Sequence, residues 1–172
     1  MPNNPPKQEI LLPAKIGVIL LSLTLALIFN LLPFSGTALL LRPDFVALGL
    51  LYWSINQPQK IGMGAAFVFG LLMDVANASV LGQHALAYSV MTFAALLFHR
   101  RMRMFGLRQQ AAQAGLLLLV AQCVMLLTGL LAGASFPGLG YFLASATGAL
   151  VWPPLSLLLR LPQHPKIDPD AL

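Results

Sequence analysis

Long uncharged apolar runs dominate the chain. Residues 16–41, 45–59, 61–73, 75–99 and 109–159 carry no Lys, Arg, Asp or Glu, in runs of 26, 15, 13, 25 and 51 residues. A helix rises about 1.5 Å per residue, and the hydrocarbon core of a bilayer is about 30 Å thick. The last run would be about 75 Å long as one helix, so it must turn back once. Gly133-Ala134-Ser135-Phe136-Pro137-Gly138-Leu139-Gly140 is the natural break, since Gly and Pro interrupt helices. Residues 61–99 need a break as well, at Asn77-Ala78-Ser79 and Gly82-Gln83-His84. The pattern predicts six helices, over about 15–33, 38–56, 61–76, 84–99, 110–132 and 140–159. The expected fold is all-α, a single six-helix transmembrane domain over 15–160. A cytoplasmic N-terminal tail (1–14) and a cytoplasmic C-terminal tail (161–172) complete the expected division.

Composition sharpens this reading. Of 172 residues, 58% are hydrophobic and 9% charged, against about 25% charged in an ordinary soluble domain. So few charges cannot cover a globule in water, and so apolar a chain is not disordered. The single cysteine, Cys123, excludes an intramolecular disulfide and a zinc-type cluster. A pI near 9.9 beside a mean hydropathy of +0.82 points to membrane orientation and away from nucleic acid. Six spans put Lys7, Lys15, Lys60, Arg100, Arg101, Arg103, Arg108, Arg160 and Lys166 on one side, with Arg42 alone on the other. Basic residues favour the cytoplasm, so both termini are expected there. Fusing spans three and four would set Lys60 against the cluster at 100–108. The first apolar segment has no small-residue cleavage signature and reads as an anchor, not a signal peptide.

Span three holds a stripe of small residues. Gly62, Ala66, Gly70 and Asp74 recur every four positions, a spacing that lets helix backbones approach closely. A carboxylate near the membrane boundary is costly unless it faces protein or water. Arg42, Asp44 and His84 fall at the same level. The expectation is one polar layer, with Arg42 serving Asp44 and Asp74 and Asp74→Asn milder than Arg42→Ala. Gly129 with Gly133, and Gly140, Ala144 and Gly148, repeat the small-residue spacing. Tyr52, Trp53 and Trp152 suit an interfacial aromatic belt, and Pro153-Pro154 should kink or unwind span six. The segment 99–108 reads as a basic loop that sets topology. Asn30, Asn56, Gln122 and Thr128 look like isolated polar residues. His84, His99 and His164 are too scattered to form a ligand set, and no nucleophile, phosphate-loop or metal motif is present. Neither catalytic residues nor cofactors are expected.

Ordered motifs fill the central half. They are Arg42-Pro43-Asp44, Leu51-Tyr52-Trp53, Gln57-Pro58, Gly70-Leu71-Leu72-Met73-Asp74, Leu81-Gly82 and Ala85-Leu86, with Trp152-Pro153 near the end. Their order and spacing resemble the MreD family of rod-shape-determining proteins of the bacterial inner membrane. The resemblance implies a non-catalytic scaffold in cell elongation and lateral peptidoglycan synthesis. The partners it implies are an MreC-like periplasmic scaffold protein, an MreB-like actin homologue and the rod-system polymerase and transpeptidase. It also implies a fold similar to the six-helix substrate-binding components of vitamin importers. Arg42, Pro43, Asp44, Tyr52, Trp53, Pro58, Gly70, Asp74 and Gly82 would then serve architecture or partner contact, beside Gly62 and Ala66 of the stripe. The alternative is a vitamin-importer component itself. Its Ala-x-x-x-Ala docking face is missing from span one, which holds only Ala14 and Ala26 before Ala38.

Overall fold

A computed structural model describes residues 13–163. Lys7, His164 and Lys166, and most of both tails, lie outside the described residues. Among the described residues the protein is entirely helical. The α-helices are α1 (Ile16–Asn30), α2 (Thr37–Leu41), α3 (Phe45–Asn56), α4 (Met63–Ala76), α5 (Gln83–Met104), α6 (Leu107–Leu131) and α7 (Leu143–Arg160). A 3-10 turn, Leu139–Phe142, leads into α7, and another, Leu161–Gln163, follows it. The helices α2 and α3 are two pieces of one apolar stretch, so six apolar segments result.

The interruption in the second segment departs from the expected continuous span. Pro43 disfavours the helical region for the residue before it, and Arg42 is extended at φ −68°, ψ 116°. Asp44 then caps α3, its side chain accepting from the Ala47 amide. Side-chain oxygens at this position satisfy amides that the first helical turn leaves unbonded.

Helix α3 is the centre of the bundle. Its residues from Val46 to Ile55 are all buried, as expected of a helix that is apolar all round. Helix α1 packs on it, with Leu23 against Gly49, where a Cβ would lie 3.0 Å from the leucine Cδ2. The Trp53 indole donates to Ser22 Oγ at 2.8 Å. Tyr52 meets Trp53 edge-on and lies 6.4 Å from Trp152 between ring centroids. All three rings are almost completely buried. They form core and not an interfacial belt, because α1, α5 and α7 close around α3.

Helices α4 and α5 cross at Gly70. A Cβ there would sit 2.3 Å from the Ala85 Cα and 2.5 Å from its nitrogen. Helices α6 and α7 meet through Gly115 opposite Ala149 and through Gly148 opposite Leu118. Gly133 plays a different part, ending α6 at φ +90°, so Gly129 and Gly133 are not a shared packing face. Helix α7 stays helical through Pro153 and Pro154, without the unwinding expected there. The basic segment is not a loop either. Helix α5 carries Arg101 and Arg103 in its last turn, where cations suit the negative end of the helix, and only Phe105 and Gly106 separate it from α6.

Thr37–Asn56, Leu107–Leu131 and Leu139–Gln163 are long and apolar enough to cross a membrane. Helices α1 and α4 are apolar but shorter, 15 and 14 residues, about 21–22 Å each. The outer surface is apolar on every side, including Leu21 of α1, Val68 of α4, Leu97 of α5, Leu127 of α6 and Leu150 of α7. Continuous exposed apolar surface of this kind belongs in hydrocarbon.

Candidate functional site

At one end of the bundle the chain reverses three times, after α1, α4 and α6, and the polar side chains collect there. Asp44 Oδ1 accepts from the Ala47 amide at 3.0 Å and from Asn30 Nδ2 at 2.8 Å. Its Oδ2 accepts from the Tyr88 hydroxyl at 2.6 Å. Asn30 Oδ1 in turn accepts from the Phe45 amide at 3.0 Å. One carboxylate therefore ties the end of α1, the start of α3 and the body of α5.

Asp74 is 1% exposed and does the same for α4 and α5. Its Oδ2 accepts from the Gly82 amide at 2.8 Å and the Ala85 amide at 3.3 Å. Its Oδ1 accepts from the His84 amide at 2.8 Å and from Ser79 Oγ at 3.0 Å. His84 Nδ1 also lies 2.8 Å from Oδ1, hydrogen-bond distance for an Nδ1–H donating to the carboxylate. Asp74 thus caps, from outside, the amides at the N-terminus of a helix to which it does not belong, where Gly82 is the N-cap residue. Negative charge suits that end, where free amides and the helix dipole coincide. Gly82 makes the approach possible, its φ of +98° turning its amide toward the carboxylate, a conformation that glycine adopts without penalty.

Arg42 pairs with neither carboxylate. Among the described residues no Lys or Arg nitrogen lies within 4.0 Å of a carboxylate, and the one basic side chain that does is His84, through Nδ1 at 2.8 Å from Asp74 Oδ1. The Arg42 guanidinium donates to the Asn30 carbonyl at 2.7 Å and to the Leu32 carbonyl at 3.3 Å, and stacks 6.0 Å above the Phe34 ring. It caps the C-terminus of α1, where free carbonyls attract a cation. The expected arginine-to-carboxylate layer gives way to three helix-terminus contacts, because each charge finds a closer partner in backbone.

These groups still border one space. Asn30, Arg42, Pro43, Asp44, Asn77, His84, Gln122, Tyr141 and Ser145 line a partly open cavity of about 150 Å³. Gln122 donates to the Tyr141 carbonyl at 3.0 Å and accepts from Ser145 Oγ. Asn30 and Gln122 are therefore network members, unlike Asn56 and Thr128, which bond only within their own helices.

The remaining predicted residues lie elsewhere. Tyr52 and Trp53 sit in the core near the other end of α3, where the Tyr52 hydroxyl accepts from Gln163 Nε2 at 3.0 Å. Pro58 lies in the turn closed by the Lys60 amide donating to the Gln57 carbonyl at 2.9 Å. Of the small-residue stripe, Ala66 and Gly70 are buried, whereas a Cβ on Gly62 would meet nothing within 4 Å. Sequence reasoning missed Asn30, Ser79, Tyr88 and Tyr141. Tyr88 had a signal, standing four positions after His84 and so on the same helix face.

Ser79, His84 and Asp74 touch but do not form a catalytic triad. The Ser79 hydroxyl and the Asp74 carboxylate both approach the same ring nitrogen, Nδ1, whereas a triad needs them on opposite nitrogens.

Comparison with known proteins accords with the motifs. The family described as rod shape-determining protein MreD matches this chain over residues 14–161. The rod shape-determining protein MreD of Haemophilus influenzae is 28% identical over 136 residues, which cover 79% of this chain and 84% of that protein. No solved structure matches, so the expected likeness to vitamin-importer components is unsupported. On a match that runs from the residue before Lys15 to the residue after Arg160, this chain belongs to the MreD family of rod shape-determining membrane proteins.

Proposed function

We propose that the protein is a non-catalytic scaffold of the cell-elongation machinery in the bacterial inner membrane. In this reading it crosses the bilayer six times as a single domain over 15–160, with both termini in the cytoplasm. It contributes to lateral peptidoglycan synthesis by binding an MreC-like scaffold, an MreB-like actin homologue and the rod-system polymerase and transpeptidase. Arg42, Pro43, Asp44, Gly82 and their neighbours serve architecture and partner contact at the end of the bundle. Tyr52 and Trp53 serve architecture alone, since their burial leaves no surface for a partner. One observation carries the reading: both carboxylates among the described residues are committed to helix N-termini, so the ionisable groups hold helices in place. Depletion from a rod-shaped host tests it. Rounded cells with normal vitamin uptake are expected. Cells of unchanged shape that lose import of one vitamin would replace the scaffold with a transport component.

A further inference from the structure

At the end of the bundle farthest from the Asp44 cavity, basic side chains collect. Arg100, Arg101, Arg103 and Arg108 fall within nine residues, and among the described residues none has a carboxylate within 4.0 Å. Between α5 and α6 lies a cleft of about 230 Å³, lined by Phe98, Arg101, Met102, Gln113, Leu116 and Leu117. Its walls are apolar, and Phe98 and Leu116 are exposed to the surroundings. Two polar groups mark its edge. One is the Arg101 guanidinium, held 6.0 Å above the Phe105 ring. The other is the Gln113 carboxamide, whose Oε1 is buried and has no hydrogen-bond donor. A buried acceptor without a donor is costly unless something brings one.

We propose that this cleft binds one anionic phospholipid of the phosphatidylglycerol type. The charge calls for an anion, the walls call for an acyl chain, and the orphan oxygen calls for a hydroxyl. A glycerophospholipid with a glycerol headgroup supplies all three in one molecule. Arg101 takes the phosphate, for which a planar guanidinium is well shaped. A headgroup hydroxyl donates to Gln113 Oε1, and an acyl chain lies along Phe98, Leu116 and Leu117. The other three arginines add attraction toward an anionic surface without lining the cleft. The binding requires no particular elongation partner, so it stands apart from the scaffold reading.

Native mass spectrometry of the purified full chain in mild detergent tests this. Phosphatidylglycerol and phosphatidylcholine are offered at equal concentration, with glycerol 3-phosphate as the soluble source of the same anion. Retention of phosphatidylglycerol about fivefold or more above phosphatidylcholine is expected, the scale of one basic residue near an anionic surface. Arg101→Ala should bring the two lipids level. Leu116→Trp should do so with the charge unchanged, by filling the cleft from its exposed edge. Arg100→Ala should retain most of the preference, and thermal melting of each variant shows that it is folded. Equal retention of both lipids by the unmodified chain overturns the proposal. So does displacement of the lipid by equimolar glycerol 3-phosphate, or a loss in Arg100→Ala as large as in Arg101→Ala.

Discussion

Asp74 is held by donors on both of its oxygens, and this makes its charge irreplaceable by shape. In Asp74→Asn one oxygen becomes an amide nitrogen, which then faces either the Gly82 and Ala85 amides or the His84 amide. Each orientation sets donor against donor. Asp74→Asn should therefore destabilise nearly as much as Asp74→Ala, by about 1–3 kcal/mol for amides left without an acceptor. Thermal melting in detergent checks the ranking, and a near-native Asn variant would remove the capping account. Arg42→Ala should cost less, because Arg42 is partly exposed and water can reach the Leu32 carbonyl it leaves at the surface. This reverses the order that charge alone suggests. Opposite charges at one level of a membrane invite pairing on paper. Sequence says nothing of the free carbonyls at the end of α1, and those carbonyls win Arg42.

The crossing of α4 and α5 belongs to the scale of elements. Gly70 touches Ala85 and His84 through backbone, and backbone cannot rotate away as a side chain can. Gly70→Leu should abolish accumulation of folded protein, while Leu71→Ile, a volume-conserving change, should cost under about 1.5 kcal/mol. Equal abundance of the two variants in membranes would refute a packed crossing. That crossing was legible in the four-residue spacing of Ala66, Gly70 and Asp74. The six apolar segments and the turns at 77–82 and 133–138 were legible too, since Gly and polar clusters mark where helices stop. What hid the break between α2 and α3 was hydropathy itself. A run of leucines on both sides outweighed Arg42-Pro43-Asp44, although proline after an extended residue and aspartate before a helix are ordinary start signals. The basic end of α5 was misread for the converse reason, as charge resembles loop until its helix-terminal role is considered.

For the whole molecule, the basic residues other than Arg42 should define a single cytoplasmic face. Cysteine placed at 104 in a Cys123→Ala background should resist a membrane-impermeant thiol reagent in intact cells and react after permeabilisation. Met104 is 81% exposed, so shielding by protein is not a competing cause. Labelling from the outside of intact cells would invert the proposed topology. The polar end of the bundle has a consequence in time as well as in space. Counting along the chain, Asp44 finds the Ala47 amide 3 residues away and Asn30 14 away, and only Tyr88 must come from 44. Asp74 finds Ser79, Gly82, His84 and Ala85 within 11 residues. A ribosome delivers these partners almost as soon as it delivers the charges. Each carboxylate can thus enter the bilayer already clothed by its own stretch of chain, before the later helices exist to shelter it.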